Sequence, residues 1–112
     1  MAKIDTRQKQ QYRPDPLTDY YQSDPMFPKN IMIELSNACN HKCIFCTNTY
    51  MQRKISRISP NLIQKIMEDA RQAGTREIGF YTTGEPFVHK DLEKFTSSAK
   101  KLGYEYIYIS TN

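Results

Sequence analysis

Three cysteines fall within eight residues, in the run Cys39-Asn-His-Lys-Cys43-Ile-Phe-Cys46, and the 112-residue chain has no others. An odd number packed this tightly, with no export signal ahead of it, makes a poor disulfide framework and a good metal-ligand set. Three thiolates from one compact loop can hold three corners of a cubane [4Fe-4S] cluster, leaving the fourth iron without a protein ligand and open to a substrate or cofactor. A ferredoxin, which only carries electrons, normally closes every iron with cysteine. The alternative is a zinc site in which His41 joins the three thiolates. Structural zinc usually draws on two separated ligand pairs, and the sequence has no second pair. His89, the other histidine, is expected as a polar residue at the start of a helix, and His41 as a solvent-facing loop residue.

The elements around this cluster follow an α/β order. Ile31 to Leu35 (IMIEL) is a short apolar strand, and the cysteine loop leaves its C-terminal end, where parallel α/β sheets build their sites. Ser59-Pro60 puts a capping hydroxyl ahead of a proline at the first helical position. Leu62, Ile63, Ile66, Met67 and Ala70 then recur at helical spacing up to Gly74, a left-handed stop. Arg76 to Tyr81 (REIGFY) is a second strand and TTGEP a tight loop. Leu92, Phe95, Ala99 and Leu102 mark one face of a second helix ending at Gly103, and Tyr104 to Ser110 (YEYIYIS) is a third strand. Helices of this length carry each strand back parallel to the last, with right-handed βαβ crossovers. Residues 1–30 hold four of the six prolines among polar residues and have no apolar period, so they read as an extended or partly disordered arm ahead of a domain at 31–112. Three parallel strands without a last helix leave little room for a core, which implies a truncated chain.

The pattern Cys39, Cys43, Phe45, Cys46 is C-x3-C-x-aromatic-C and resembles the signature of the radical S-adenosylmethionine (radical SAM) superfamily. Thr83-Gly84-Glu85-Pro86, about forty residues on and directly after the second strand, resembles that family's GGEP loop, with Thr83 in place of its first glycine. Ser110-Thr111-Asn112 is similar to the S/T-T-N-G segment found after the family's third strand. The resemblance covers residues 31–112 and implies the N-terminal half of a partial (β/α)6 TIM-like barrel, three of roughly six βα units. It further implies that Cys39, Cys43 and Cys46 bind a [4Fe-4S] cluster whose open iron is chelated by S-adenosylmethionine. One electron then cleaves the sulfonium to give methionine and a 5'-deoxyadenosyl radical that abstracts hydrogen from a substrate. By the same resemblance Phe45 would shield the cluster with its backbone near the adenine. Thr83, Gly84, Glu85 and Pro86 would meet the cofactor's ammonium through backbone carbonyls and the Glu85 carboxylate, and Ser110 and Asn112 would add polar contacts. Without the cysteines, TTGEP would read first as an ordinary strand-to-helix turn, and a loop-packing role for Phe45 is compatible with the one the resemblance gives it. The run from IMIEL through TGEPF to YIYISTN looks like the branch that often carries a C-terminal SPASM extension with auxiliary clusters.

Composition sets the outer bounds. Hydrophobic residues at 38% and charged residues at 25% suit one globular domain or part of one. No apolar run approaches the roughly 18 residues of a membrane span and no apolar leader is present, so the expected setting is cytoplasmic. The net charge of +4 is spread, residues 1–30 holding +1 and the rest +3. Its densest patch, Arg53, Lys54 and Arg57, could meet an anionic substrate or simply form a solvated loop, and nucleic acid is not an expected partner. The expected partners are an unidentified substrate and an electron donor such as flavodoxin or ferredoxin. The rival to the enzyme reading is a non-catalytic iron-sulfur or zinc-binding module of a larger assembly. A chain truncated after the third strand is expected to bind its cluster weakly and to turn over poorly, which 5'-deoxyadenosine formation would measure.

Overall fold

In the computed structural model, residues 27–112 are described. They form β1 (Asn30–Ile33), α1 (Pro60–Ala73), β2 (Glu77–Phe80), α2 (Leu92–Lys101) and β3 (Tyr106–Ile109), with 3-10 turns at Thr47–Tyr50 and Pro86–Val88. The strands make one parallel sheet in the order β1-β2-β3, and each connection carries a helix. Among the described residues no helix is long and apolar enough to cross a membrane.

The expected boundaries shift slightly. The arm expected for 1–30 lies outside the described residues up to 26. At its other end the chain already belongs to the sheet, because Asn30 pairs with Glu77, Lys29 O accepts from the Arg76 and Glu77 N–H groups, and Thr75 Oγ1 donates to Pro28 O. Each strand spans four residues, shorter than its apolar run, because the flanking residues bond elsewhere. Leu35, expected in β1, instead offers its carbonyl to the Ile58 N–H at 2.8 Å.

The helices form for local reasons and are then fixed by burial. Ser59 Oγ accepts from Leu62 N at 3.2 Å, Pro60 opens α1, and Gly74 closes it at φ 110°. Ile63, Met67 and Ala70 face inward, whereas Leu62, expected on that face, is half exposed, one residue round the helix from Ile63. Leu92, Phe95 and Ala99 do the same for α2. Pleat alternation sends the rows Ile31–Ile78–Ile107 and Ile33–Phe80–Ile109 toward the helices, giving one core. Fully burying a side chain such as Ile63 or Met67 contributes roughly 1.5–3 kcal/mol. Tyr104 joins that core and donates its hydroxyl to Met67 O at 2.8 Å; burial pushes its phenol up, and Arg71 pulls weakly the other way.

On the opposite face the rows are Asn30–Glu77–Tyr106 and Met32–Gly79–Tyr108. Asn30 Nδ2 donates to Glu77 Oε2 at 2.7 Å and Tyr108 OH to Asn30 Oδ1 at 2.8 Å, while the Tyr108 ring lies directly over Gly79. The C-terminal ends of all three strands therefore open on the same side as the cysteine loop.

Candidate metal centre and facing loop

A closed neck isolates the cysteine loop from the sheet. Beyond β1, Ser36 pairs antiparallel with Arg57, and Ser36 Oγ donates to Ser56 O while accepting from Ala38 N. Asn37, 3% exposed, donates from Nδ2 to Lys54 O at 2.9 Å and accepts from Ser56 N at 2.8 Å. Its side chain thus replaces the next rung of a sheet, which satisfies polar groups that burial would otherwise leave unpaired at about 1–3 kcal/mol each. His89 fastens the same return strand. Its Nδ1 accepts from Asp91 N–H at 3.1 Å, so its proton sits on Nε2, which lies 3.3 Å from Ile58 O. The ring also packs edge-on against Phe95.

The loop after β2 docks onto this neck through its backbone. A Cβ on Gly84 would stand 1.7 Å from Ser36 O and 2.9 Å from Ala38 O, so only a glycine permits the approach. The contact is sealed by Glu85 N–H donating to Ala38 O at 2.9 Å. From the 3-10 turn after Cys46, Asn48 Nδ2 bridges the two loops, donating to Asn37 O at 2.8 Å and Thr83 O at 3.1 Å.

Glu85 is 5% exposed and its carboxylate is engaged within the chain. Oε1 accepts from Phe87 N–H at 3.1 Å and from Thr111 Oγ1 at 2.7 Å, and Oε2 from Asn112 N–H at 3.1 Å. Burial alone would raise its pKa, but the bonds from Thr111, Phe87 and Asn112 and the charge of His41 outweigh it and hold the carboxyl below its ordinary 4.5. Glu34 is held low in the same way: burial opposes, while Arg53, Thr82 and Thr83 prevail, with Arg53 Nη1 at 3.1 Å and Thr82 Oγ1 at 3.1 Å from its oxygens. Arg53 of the basic patch is thus paired, and Lys54 and Arg57 are exposed.

Cys39, Cys43 and Cys46 are free thiols, each half-buried, on this one loop. Among the described residues no three Cys, His, Asp or Glu side chains converge on a point suited to a single metal ion. His41 is exposed, and its Nδ1 lies 3.2 Å from Asn40 Oδ1. A cubane asks for something different: soft thiolates, each on its own iron corner and so set apart from one another. Three free cysteines on one loop supply the donor type for it. Phe45, expected to shield the cysteines, is 89% exposed with its neighbour Ile44 at 97%. Thr83 is half-buried, Pro86 buried and Ser110 exposed, while Asn112 turns toward the cysteine loop, its Nδ2 2.9 Å from Asn40 Oδ1. The sequence reading missed Ser36, Asn37, Asn48 and Thr111; the visible signal was a polar Ser-Asn pair directly after a strand, with no turn glycine to account for it.

The sequence model of the Radical SAM superfamily matches residues 33–112. A probable GTP 3',8-cyclase of Saccharolobus solfataricus is 31% identical over 84 residues, covering 75% of this chain and 27% of that protein. One of Methanothermobacter marburgensis is 28% identical over 83 residues, covering 74% and 27%. The crystal structure of BtrN in complex with AdoMet and 2-DOIA superposes with a TM-score of 0.71 at 27% identity, over 80% of this chain and 37% of that one. The chain thus spans about a quarter of the length of these curated relatives.

Proposed function

The chain belongs to the radical SAM superfamily, and from that premise we propose that it carries the cluster-binding and cofactor-binding portion of a radical SAM enzyme, the N-terminal half of a partial (β/α)6 barrel. In this reading Cys39, Cys43 and Cys46 hold a [4Fe-4S] cluster, and the Thr83–Pro86 loop receives the amino end of S-adenosylmethionine. When bound, the two groups supply one-electron cleavage of the sulfonium and the hydrogen abstraction that follows, with the electron delivered by a donor such as flavodoxin or ferredoxin.

The observation that carries the reading is the backbone contact of Gly84 with Ser36 and Ala38, which sets the loop after β2 against the base of the cysteine loop. This chain's residues do the positioning. Asn37 and Ser36 close the neck, Asn48 ties Thr83 to Asn37, and Glu85 fixes the end of β3 beside them. The relatives differ in what their names give as substrate: one is named for GTP, and the solved structure, which also holds AdoMet, carries 2-DOIA. We therefore extend the cofactor, and no substrate, to this chain.

Anaerobic reconstitution with ferrous iron and sulfide tests this. The expected product is brown and holds iron and sulfide in equal amounts, its reduced-state spectrum altered by S-adenosylmethionine and its iron lost in Cys39→Ala, Cys43→Ala and Cys46→Ala. A colourless protein, or one that retains zinc in place of iron, would overturn it.

A further inference from the structure

The three cysteines are not equivalent. Cys39 Sγ accepts from the His41 N–H at 3.5 Å and lies 3.9 Å from Asn112 Nδ2, whereas among the described residues no donor reaches the sulfur of Cys43 or Cys46. Asn112 is held on both sides. Its side-chain amide donates to Asn40 Oδ1 at 2.9 Å, and its backbone N–H, together with Thr111 Oγ1, is anchored on the buried Glu85 carboxylate. Glu85 is itself fixed by the Phe87 N–H and by its own N–H to Ala38 O. A chain of hydrogen bonds thus runs from the loop after β2, through the end of β3, to one ligand sulfur on the loop after β1.

We propose that Asn112 is a positioning residue that directs an N–H group at the Cys39 sulfur, with Glu85 and Thr111 holding it there, and that this contact raises the reduction potential of the cluster. The inference rests on the functional reading above and deepens it. An N–H···S bond strengthens as negative charge accumulates on the sulfur, so it favours the reduced cluster over the oxidised one; bonds to ligand sulfurs are among the levers that set such potentials. Because the contact is to sulfur, it acts whether or not S-adenosylmethionine is present.

The test is a redox titration of the reconstituted full chain without S-adenosylmethionine, which removes any effect of Asn112 on cofactor binding. Asn112→Ala is expected to keep its iron and to shift the midpoint to more negative potential, by about 59 mV for a tenfold change in the one-electron ratio. Asn112→Asp, which keeps the size and the backbone N–H but replaces the amide donor by a carboxylate, should shift the same way. Thr111→Val, which leaves Asn112 intact but loosens its anchor, should give a smaller shift of the same sign. Midpoints unchanged in both Asn112 variants at full iron loading overturn the inference and leave the functional reading standing; a shift in those variants with none in Thr111→Val overturns the part given to Glu85 and Thr111. Failure of the wild-type chain to assemble any cluster overturns the functional reading, and this inference with it.

Discussion

Gly84→Ala places a methyl group where two backbones already touch. Its Cβ would lie 1.7 Å from Ser36 O and 2.6 Å from Ser36 C, against an ordinary contact of 3.4 Å or more, so the loops must part by about 1.7 Å. No rotamer relieves this, because the obstructing atoms are main chain. Overpacking of this kind costs about 1–3 kcal/mol, and parting also breaks the bond from Glu85 N–H to Ala38 O, about 1 kcal/mol more. The sum, about 2–4 kcal/mol, is a large share of the roughly 5–15 kcal/mol that stabilises a small domain, and corresponds to a drop of about 10–25 °C in Tm. Urea and thermal unfolding followed by circular dichroism measure it. Gly74→Ala is the control: it meets nothing within 4 Å but sits at φ 110°, so it carries only left-handed strain of about 1–2 kcal/mol. The two variants should also part in function, since Gly74 closes α1 far from the cysteines while Gly84 sets the distance between the loops. Gly84→Ala no more costly than Gly74→Ala, with iron loading and S-adenosylmethionine affinity intact, would refute the reasoning.

Acid should weaken the fold through Glu85 and Glu34. Both carboxyls are held below their ordinary 4.5, so the stability they contribute is present above that value and is lost as pH falls through it and on through their folded-state pKa values, which urea midpoints from pH 7 to pH 3 would follow. His89→Ala should cost about 2–3 kcal/mol by leaving the buried Asp91 N–H without an acceptor and removing the ring from Phe95; with Nε2 no longer holding the Ile58 carbonyl, exchange of the Ile58 N–H, which donates to Leu35 O, should quicken with it. Glu85→Gln keeps the shape but turns an amide NH2 toward a donor that the carboxylate accepted, so it should lower stability at pH 7 by about 1–3 kcal/mol. Loss of S-adenosylmethionine affinity in that variant at unchanged stability would instead mark the carboxylate as a cofactor contact.

Much of the fold was legible because its signals are local. Ser59-Pro60 and Gly74 bracket α1 through a hydroxyl, a fixed φ and a left-handed φ, all of which the residues carry with them. The apolar spacing of Ile63, Met67 and Ala70 requires only helical periodicity to be read. Strand ends were less legible because they depend on what the neighbouring chain offers. Leu35 reads as strand until Ile58, more than twenty residues later, returns to take its carbonyl, and Asn30 reads as loop until Glu77 pairs with it. At the site, the cysteines and Gly84 stood out by residue type. Asn37 and Asn48 did not, since nothing in an asparagine announces that its amide will bridge residues 17 or 35 positions away.

Glu85 shows why position in a motif and role in a structure can separate. An acid beside a cofactor loop invites assignment to the cofactor's ammonium, since opposite charges attract. Inside the fold the same carboxylate meets three donors of its own chain before any ligand arrives, two of them from the segment after β3. Pulling it toward an ammonium would strand the Phe87 and Asn112 N–H groups and the Thr111 hydroxyl, each a loss of the order of 1 kcal/mol or more. A cofactor that reaches this loop therefore meets a carboxylate already engaged by its own chain, and for the loop's backbone atoms the determining property is how closely the chain can approach. That is set at Gly84, by the absence of a side chain, and at Pro86, which is buried and opens the turn that Glu85 caps. The acid's effect on the metal centre then runs through Asn112, so a change at Glu85 should be felt at Cys39 before it is felt by any bound nucleoside.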